Sequence, residues 1–192
     1  SAVTHTLLTN FENLTLTGTS AINATGNTLN NQLTGNSANN TLTGNAGNDT
    51  LNGMGGADTL NGGTGNDIYI FNRGDGQDTV TDNDTTTGNQ DIVQLGVNPL
   101  DLVFTRATNN MQLSLHGGTD RLTVSNWYTN ASYQTEMIRA ADGRTLLNTQ
   151  VDQLIQAMAQ FSANNGGITW GQAIDQNPSG VEGVLAGYWQ AA

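Results

Sequence analysis

Leu33, Leu42, Leu51, Leu60 and Tyr69 recur at intervals of nine residues, and a turn-forming hexapeptide precedes each of them. The hexapeptides run Gly26–Asn31, Gly35–Asn40, Gly44–Asp49, Gly53–Asp58 and Gly62–Asp67. A fixed short period of this kind specifies a solenoid, because one nonapeptide cannot bury its single large apolar side chain alone. Two successive nonapeptides make an 18-residue coil with a short strand on each side. Stacked coils place Leu33, Leu51 and Tyr69 in one interior row and Leu42 and Leu60 in the opposite row. Such rows are thin. At roughly 25 cal/mol per Å² of buried apolar surface they do not easily offset about 1–2 kcal/mol of backbone entropy per ordered residue. The turns must carry part of the stability.

The turn residues suit a hard cation. Asp49 and Asp67 are 18 residues apart, so they fall one coil apart on the same edge, and Asn40 and Asp58 have the same relation on the other edge. Glycines let the backbone fold back so that carbonyls converge. Carbonyls and a carboxylate from each of two adjacent turns give an all-oxygen cage of about six ligands, which fits Ca²⁺. Mg²⁺ wants a tighter octahedron, and Zn²⁺ prefers Cys and His. The alternative is that Gly-Asn-Asp clusters are ordinary turns. Three consecutive Asp turns in register weigh against it. The expected ligand set is Asp49, Asp58, Asp67 and Asp78, with Asn40 and Asp91 and with the turn glycines Gly44, Gly47, Gly53, Gly55, Gly62, Gly63 and Gly65.

The repeats are not uniform. Asn31 and Asn40 stand where later turns have Asp, so cation sites there are weaker or are replaced by hydrogen-bonded caps. Past Tyr69, a turn beginning at Gly74 leads to Asp78 and Val80 with two extra residues, which makes Asp78 a partner for Asp58. Asp91, Ile92 and Val93 read as a further coil after a longer loop containing Asp82 and Asp84. Val93 stands where an EF-hand loop needs Glu, which excludes that motif.

Composition agrees with a cation-dependent fold. There are 16 acidic residues against five basic ones, and Cys is absent. Eight Asp residues lie between 49 and 91, with Arg73 as the only opposing charge. Such crowding resists folding until cations neutralise it. Nucleic acid and anionic lipid both need a basic patch that this chain lacks. No segment is long and apolar enough to insert into a membrane, and no N-terminal signal peptide is evident.

The flanks read differently. Residues 1–25 form a degenerate first coil or N-terminal cap around Leu14 and Leu16. Thr41, Thr50 and Thr59 face outward by alternation, as residues on a solvated strand face do. From about residue 98 the period ends. Leu102 and Phe104, then Met111, Leu113 and Leu115, flank a hairpin turn at Thr108–Asn110. Turns at His116–Asp120 and Ala141–Arg144 complete a small β cap over 98–148. A helix starts near Thr149, with Thr149 and Asp152 as a capping box, and presents Val151, Leu154, Ile155, Met158 and Phe161 on one face. Val181, Val184, Leu185 and Tyr188 continue a weaker helical stripe with a cap at Ser179. Gly183 and Gly187 weaken it, so the segment reads as a marginal helix or a frayed tail.

The nonapeptides, together with Leu102–Arg106, Leu122–Tyr128, Glu136–Ala140 and Gln153–Phe161, resemble the C-terminal repeats-in-toxin (RTX) block of proteins exported by type I secretion, and are similar to the final block of RTX adenylate cyclase toxins. The resemblance implies a chain dominated by β structure: a calcium-bound parallel β-roll, or β-solenoid, over 26–97, a β cap, and one or two short α-helices within 149–192. It implies Ca²⁺ as the cofactor, with Asp49, Asp58, Asp67 and Asp78 as first ligands. It implies an uncleaved secretion signal within about Asn164 to Ala192, read by a type I secretion apparatus. It further implies a secreted or cell-surface bacterial location, a monomer, and upstream domains in a larger parent protein. The repeats would stay unfolded in low-calcium cytosol and fold outside.

Two other classes of protein compete with this reading. An adhesin module would bind glycan, peptide or ice on a flat, repeated outward row. An enzyme would need a nucleophile–base pair, a P-loop or a zinc helix, and none is present: His5 and His116 fall in unrelated contexts and there is no Lys. No catalysis is expected.

Overall fold

The computed structural model describes residues 3–191, with the side chain of Val3 left aside. Two sheets face each other. The coils run β1 (Val3–Thr6), β2 (Asn13–Thr15), β3 (Ile22–Thr25), β4 (Gln32–Thr34), β5 (Thr41–Ala46), β6 (Thr50–Asn52), β7 (Thr59–Thr64), β8 (Ile68–Phe71), β9 (Gln77–Val80) and β10 (Ile92–Leu95). Odd-numbered strands from β1 to β9 stack in parallel in one sheet and even-numbered strands from β2 to β10 in the other. This alternation is what a nine-residue half-coil produces.

Register turns the sequence period into a core. In one sheet Ala24, Leu42, Leu60 and Val80 lie in line. In the other, Leu14, Leu33, Leu51, Tyr69 and Val93 lie in line. All but the half-buried Leu14 are sealed from solvent. Val80 holds its place although it lies 20 residues after Leu60, because the two extra residues are absorbed in the turn before β9. Replacing Leu60 by Ala opens a cavity between Leu42 and Val80. A loss of about 2–5 kcal/mol is expected in the calcium-loaded protein, read as a lower urea midpoint with an unchanged slope.

The cap continues both rows. Strands β11 (Leu102–Ala107), β12 (Asn110–Leu115) and β13 (Arg121–Val124) form an antiparallel meander, and β13 pairs in parallel with β9, bringing Val124 onto Val80. Strands β14 (Met137–Arg139) and β15 (Thr145–Leu147) form a hairpin, and β14 pairs in parallel with β10, bringing Ile138 onto Val93. The cap therefore lengthens each sheet and shares the hydrophobic core of the roll.

Among the described residues three α-helices follow, where the sequence predicts one or two: α1 (Asn148–Asn164), α2 (Trp170–Gln176) and α3 (Pro178–Leu185). Helix α1 buries Val151, Leu154 and Met158, with Ile155 and Phe161 half-buried beside them. Its expected Thr149–Asp152 capping box does not form. Thr149 already lies inside the helix, Asn148 Oδ1 accepts the Thr149 N–H at 2.7 Å, and Gln150 Oε1 accepts the Leu147 N–H at 3.3 Å. Helix α2 is set by Thr169, whose side chain accepts the Gln172 N–H, and Trp170 donates Nε1–H to Leu102 O at 3.1 Å. Helix α3 is capped by Asn177, not Ser179, and starts with Pro178. The frayed-tail reading of this segment fails, because Val181 and Leu185 are fully buried and Trp189 packs against Phe104. Tertiary packing outweighs the low propensity of its glycines.

The outward threonines also separate. Thr41 and Thr59 align in one sheet with Thr79 and Thr123, whereas Thr50 lies in the other sheet.

Candidate metal centre

The acidic turns stack into two ladders, one along each edge of the roll. On the first edge, the Asn31 N–H donates to Asp49 Oδ1 at 2.6 Å and the Asp49 N–H to Asp67 Oδ1 at 2.7 Å. The Asp67 N–H then donates to Asp91 Oδ1 at 2.8 Å and the Asp91 N–H to Glu136 Oε2 at 2.8 Å. On the second edge the Asn40 N–H donates to Asp58 Oδ1 at 2.7 Å and the Asp58 N–H to Asp78 Oδ1 at 2.9 Å. Each carboxylate thus fixes the backbone of the coil before it, and it uses one oxygen to do so.

The other oxygen is the informative one. Oδ2 of Asp49, Asp58, Asp67 and Asp78 is buried and has no hydrogen-bond partner. An ionised carboxylate sealed from water with a free oxygen is costly unless a cation or a proton meets it. Burial pushes Asp49 and Asp58 up to about 6, and Asp67 and Asp78 to about 7. Neighbouring carboxylates add to the rise at Asp58, Asp67 and Asp78. Asp91 is pushed to about 9, first by burial and then by Asp82 beside it.

The glycines shape the space around these oxygens. A Cβ on Gly44 would strike Asp49 Oδ2 and the Gly62 carbonyl together, while one on Gly53 or Gly62 would strike the Asp58 or Asp67 carboxylate. Carbonyl and carboxylate oxygens therefore converge where a side chain would otherwise sit. Gly47, Gly63 and Gly65 pass so close to the Leu29, Asn45 and Gly47 carbonyls of the coil before that a Cβ would collide with them. Gly55 borders a more open part of its turn. Asn40 differs from the acids: its Oδ1 accepts the Asn36 N–H at 2.8 Å and its Nδ2 donates to Ile22 O at 2.6 Å, leaving no free carboxylate oxygen. Among the described residues no three acidic or His side chains gather in a cluster that could hold a metal without backbone oxygens. The donor set is one or two carboxylates plus carbonyls, oxygen throughout, which is the chemistry of Ca²⁺.

Substituting Gly44 by Ala should displace the Asp49 carboxylate. A cost of about 1–3 kcal/mol raises the Ca²⁺ concentration at mid-transition roughly 5- to 150-fold. Gly183→Ala, which meets nothing within 4 Å on α3, should leave that midpoint unchanged.

Sequence reasoning missed Asp82, Asp84 and Glu136, all of which lie against the first ladder. A signal for Asp82 existed in the register, since Leu60 pairs with Val80 and so Gly62 corresponds to Asp82. None existed for Glu136, which lies outside the repeats.

Fold and site together define a calcium-binding β-roll with a C-terminal cap. The comparisons agree. The RTX calcium-binding nonapeptide repeat matches over residues 25–59, 34–69 and 44–80, and the haemolysin-type calcium binding protein related domain matches over 110–150. The chain carries an RTX haemolysin-type calcium-binding block, and Ca²⁺ is its cofactor. It is also similar to an iron-regulated protein, FrpA, of Neisseria meningitidis serogroup C, at 34% identity over 93 residues. That match covers 46% of this chain and 8% of the relative, so the chain spans a small part of that protein's length.

Proposed function

We propose that this chain is the calcium-switched folding unit of a larger exported bacterial protein. In calcium-poor cytosol the acidic repeats stay extended and pass through a type I secretion apparatus. Outside the cell, Ca²⁺ near the 10⁻⁴–10⁻³ M typical of extracellular modules fills the turns, and binding energy becomes folding energy. The unit works as a monomer at the cell exterior and has no catalytic role. The observation that carries this reading is the row of buried, unpartnered Asp49, Asp58, Asp67 and Asp78 oxygens. Val181 and Leu185 are buried in the folded chain, so a secretion signal within 164–192 is readable only before folding.

The test is far-UV circular dichroism in chelator, followed by titration with Ca²⁺ and, separately, Mg²⁺. A cooperative coil-to-β transition near millimolar Ca²⁺ that Mg²⁺ does not reproduce supports the switch. A chain folded in chelator at about pH 8, where these carboxylates are ionised in the unfolded chain, removes it. That outcome favours a constitutive adhesin, for which the aligned row Thr41, Thr59, Thr79 and Thr123 offers a repeated face to a glycan, a peptide or ice.

A further inference from the structure

The loop between β9 and β10 breaks the nonapeptide rule at one position. Parallel pairing of Thr59 with Thr79 and of Leu60 with Val80 carries the series Gly26, Gly44, Gly62 on to Asp82. In the regular coils a side chain at this position has no room, since a Cβ would strike the Asn31, Asp49 or Asp67 side chain of the same turn. In the Asp82 coil the acidic residue that closes the turn is Asp91, nine residues on instead of five. The extra residues make space, and Asp82 fills it with a carboxylate.

That carboxylate is 1% exposed, and neither oxygen has a hydrogen-bond partner. The Gly63 and Asn83 N–H groups and the Tyr69 hydroxyl face it and offset part of the cost of its burial, but none reaches full hydrogen-bond geometry. It faces Asp91 closely enough for the two to share a proton, and it acts electrostatically on Asp67 and Glu136. Asp84 closes the same edge by accepting the Gly65 N–H at 3.1 Å. Among the described residues no Arg or His pairs with Asp67, Asp82, Asp84, Asp91 or Glu136. Asp82 is thus sealed without a partner, and the four acids along its edge, Asp67, Asp84, Asp91 and Glu136, bring it no counter-charge.

We propose that Asp82 and Asp91 bind one further hard divalent cation, of the Ca²⁺ class, at the junction between roll and cap. This site differs from the repeat sites in kind. Its defining carboxylate replaces a repeat glycine, and its neighbour Glu136 comes from the cap. The cation ties the last coil to β14, because Glu136 also holds the Asp91 N–H. The inference rests on the calcium reading of the repeats and adds a site that the nonapeptide pattern does not contain.

The test counts Ca²⁺ bound per full-length chain by native mass spectrometry and calorimetry, with circular dichroism as the folding check. Asp82→Asn removes the charge, and Asp82→Gly restores the repeat glycine, so the latter keeps the roll intact even if the amide does not. Both are expected to bind one Ca²⁺ fewer than the parent chain, while Asp49→Asn loses a different one and the Asp49→Asn, Asp82→Gly double variant loses both. If Asp49→Asn lowers the count and neither Asp82 variant does, the repeat reading stands and this site is wrong, with Asp82 and Asp91 sharing a proton instead. If the parent chain binds no Ca²⁺, both readings fall.

Discussion

In the presence of chelator, the chain should gain β structure as the pH is lowered from about 8 to about 5, the reverse of ordinary acid denaturation. The folded state holds Asp49 and Asp58 at about 6, Asp67 and Asp78 at about 7 and Asp91 at about 9, against 3.8 for an unperturbed Asp. Between those limits the folded chain binds more protons than the unfolded one, so metal-free stability falls as pH rises. Raising one carboxyl from 3.8 to about 7 disfavours its ionised form by on the order of 4 kcal/mol above neutrality. Under the proposed switch, protons and Ca²⁺ compete for the same oxygens, which gives the calcium-loaded protein the opposite slope. Its Ca²⁺ midpoint should fall as the pH is raised from about 6 to about 8, since the ligands must be deprotonated. Circular dichroism in chelator across that pH range checks the first slope, and Ca²⁺ titrations at each pH check the second. A metal-free signal that does not change with pH would contradict the burial of these carboxylates.

Truncation after Val97 should abolish calcium-induced folding of the remaining repeats. The cap supplies Val124 over Val80 and Ile138 over Val93, and it pairs the open edges of β9 and β10. Without it each exposed Val or Leu forfeits roughly 1.5–3 kcal/mol, and two strand edges are left bare. Glu136 also goes, and with it the acceptor of the Asp91 N–H. A solenoid only one side chain thick per layer has little reserve against these losses. The expected signal for residues 1–97 in millimolar Ca²⁺ is that of the chelated full chain. Folding of the truncated chain at the same Ca²⁺ midpoint would make the cap a passenger.

The sequence made the roll legible because its information is periodic. Leu33 through Tyr69 repeat strictly, and the same arithmetic located Asp49 against Asp67. It also bridged the two-residue insertion that brings Asp78 to Asp58. The acidic turns pointed to a hard cation because their residue types leave few other options. What the sequence left unreadable depends on non-local packing. That β13 and β14 extend the two sheets in parallel follows from Val124 and Ile138 meeting Val80 and Val93, contacts between residues 44 and 45 apart. Helix α2 is too short to show a period, and α3 looked weak because Gly183 and Gly187 argue against it locally while its burial does not. Asp82 was hidden in a loop whose register only the strand pairing reveals.

Every rung of the two carboxylate ladders points the same way: a backbone N–H reaches for the acid of the next coil along the chain. The stack therefore has a head and a tail. On the first edge its tail is closed by Glu136. Toward its head, at Asn31 and Asn40, each amide oxygen is turned into its own loop. A duplicated pair of nonapeptides inserted within the regular coils supplies both the donor and the acceptor that its neighbours require, and so adds a layer without altering the tail. Growth in length by tandem duplication is thereby separated from the specialised end, so repeat number can drift in evolution while the terminator is inherited unchanged.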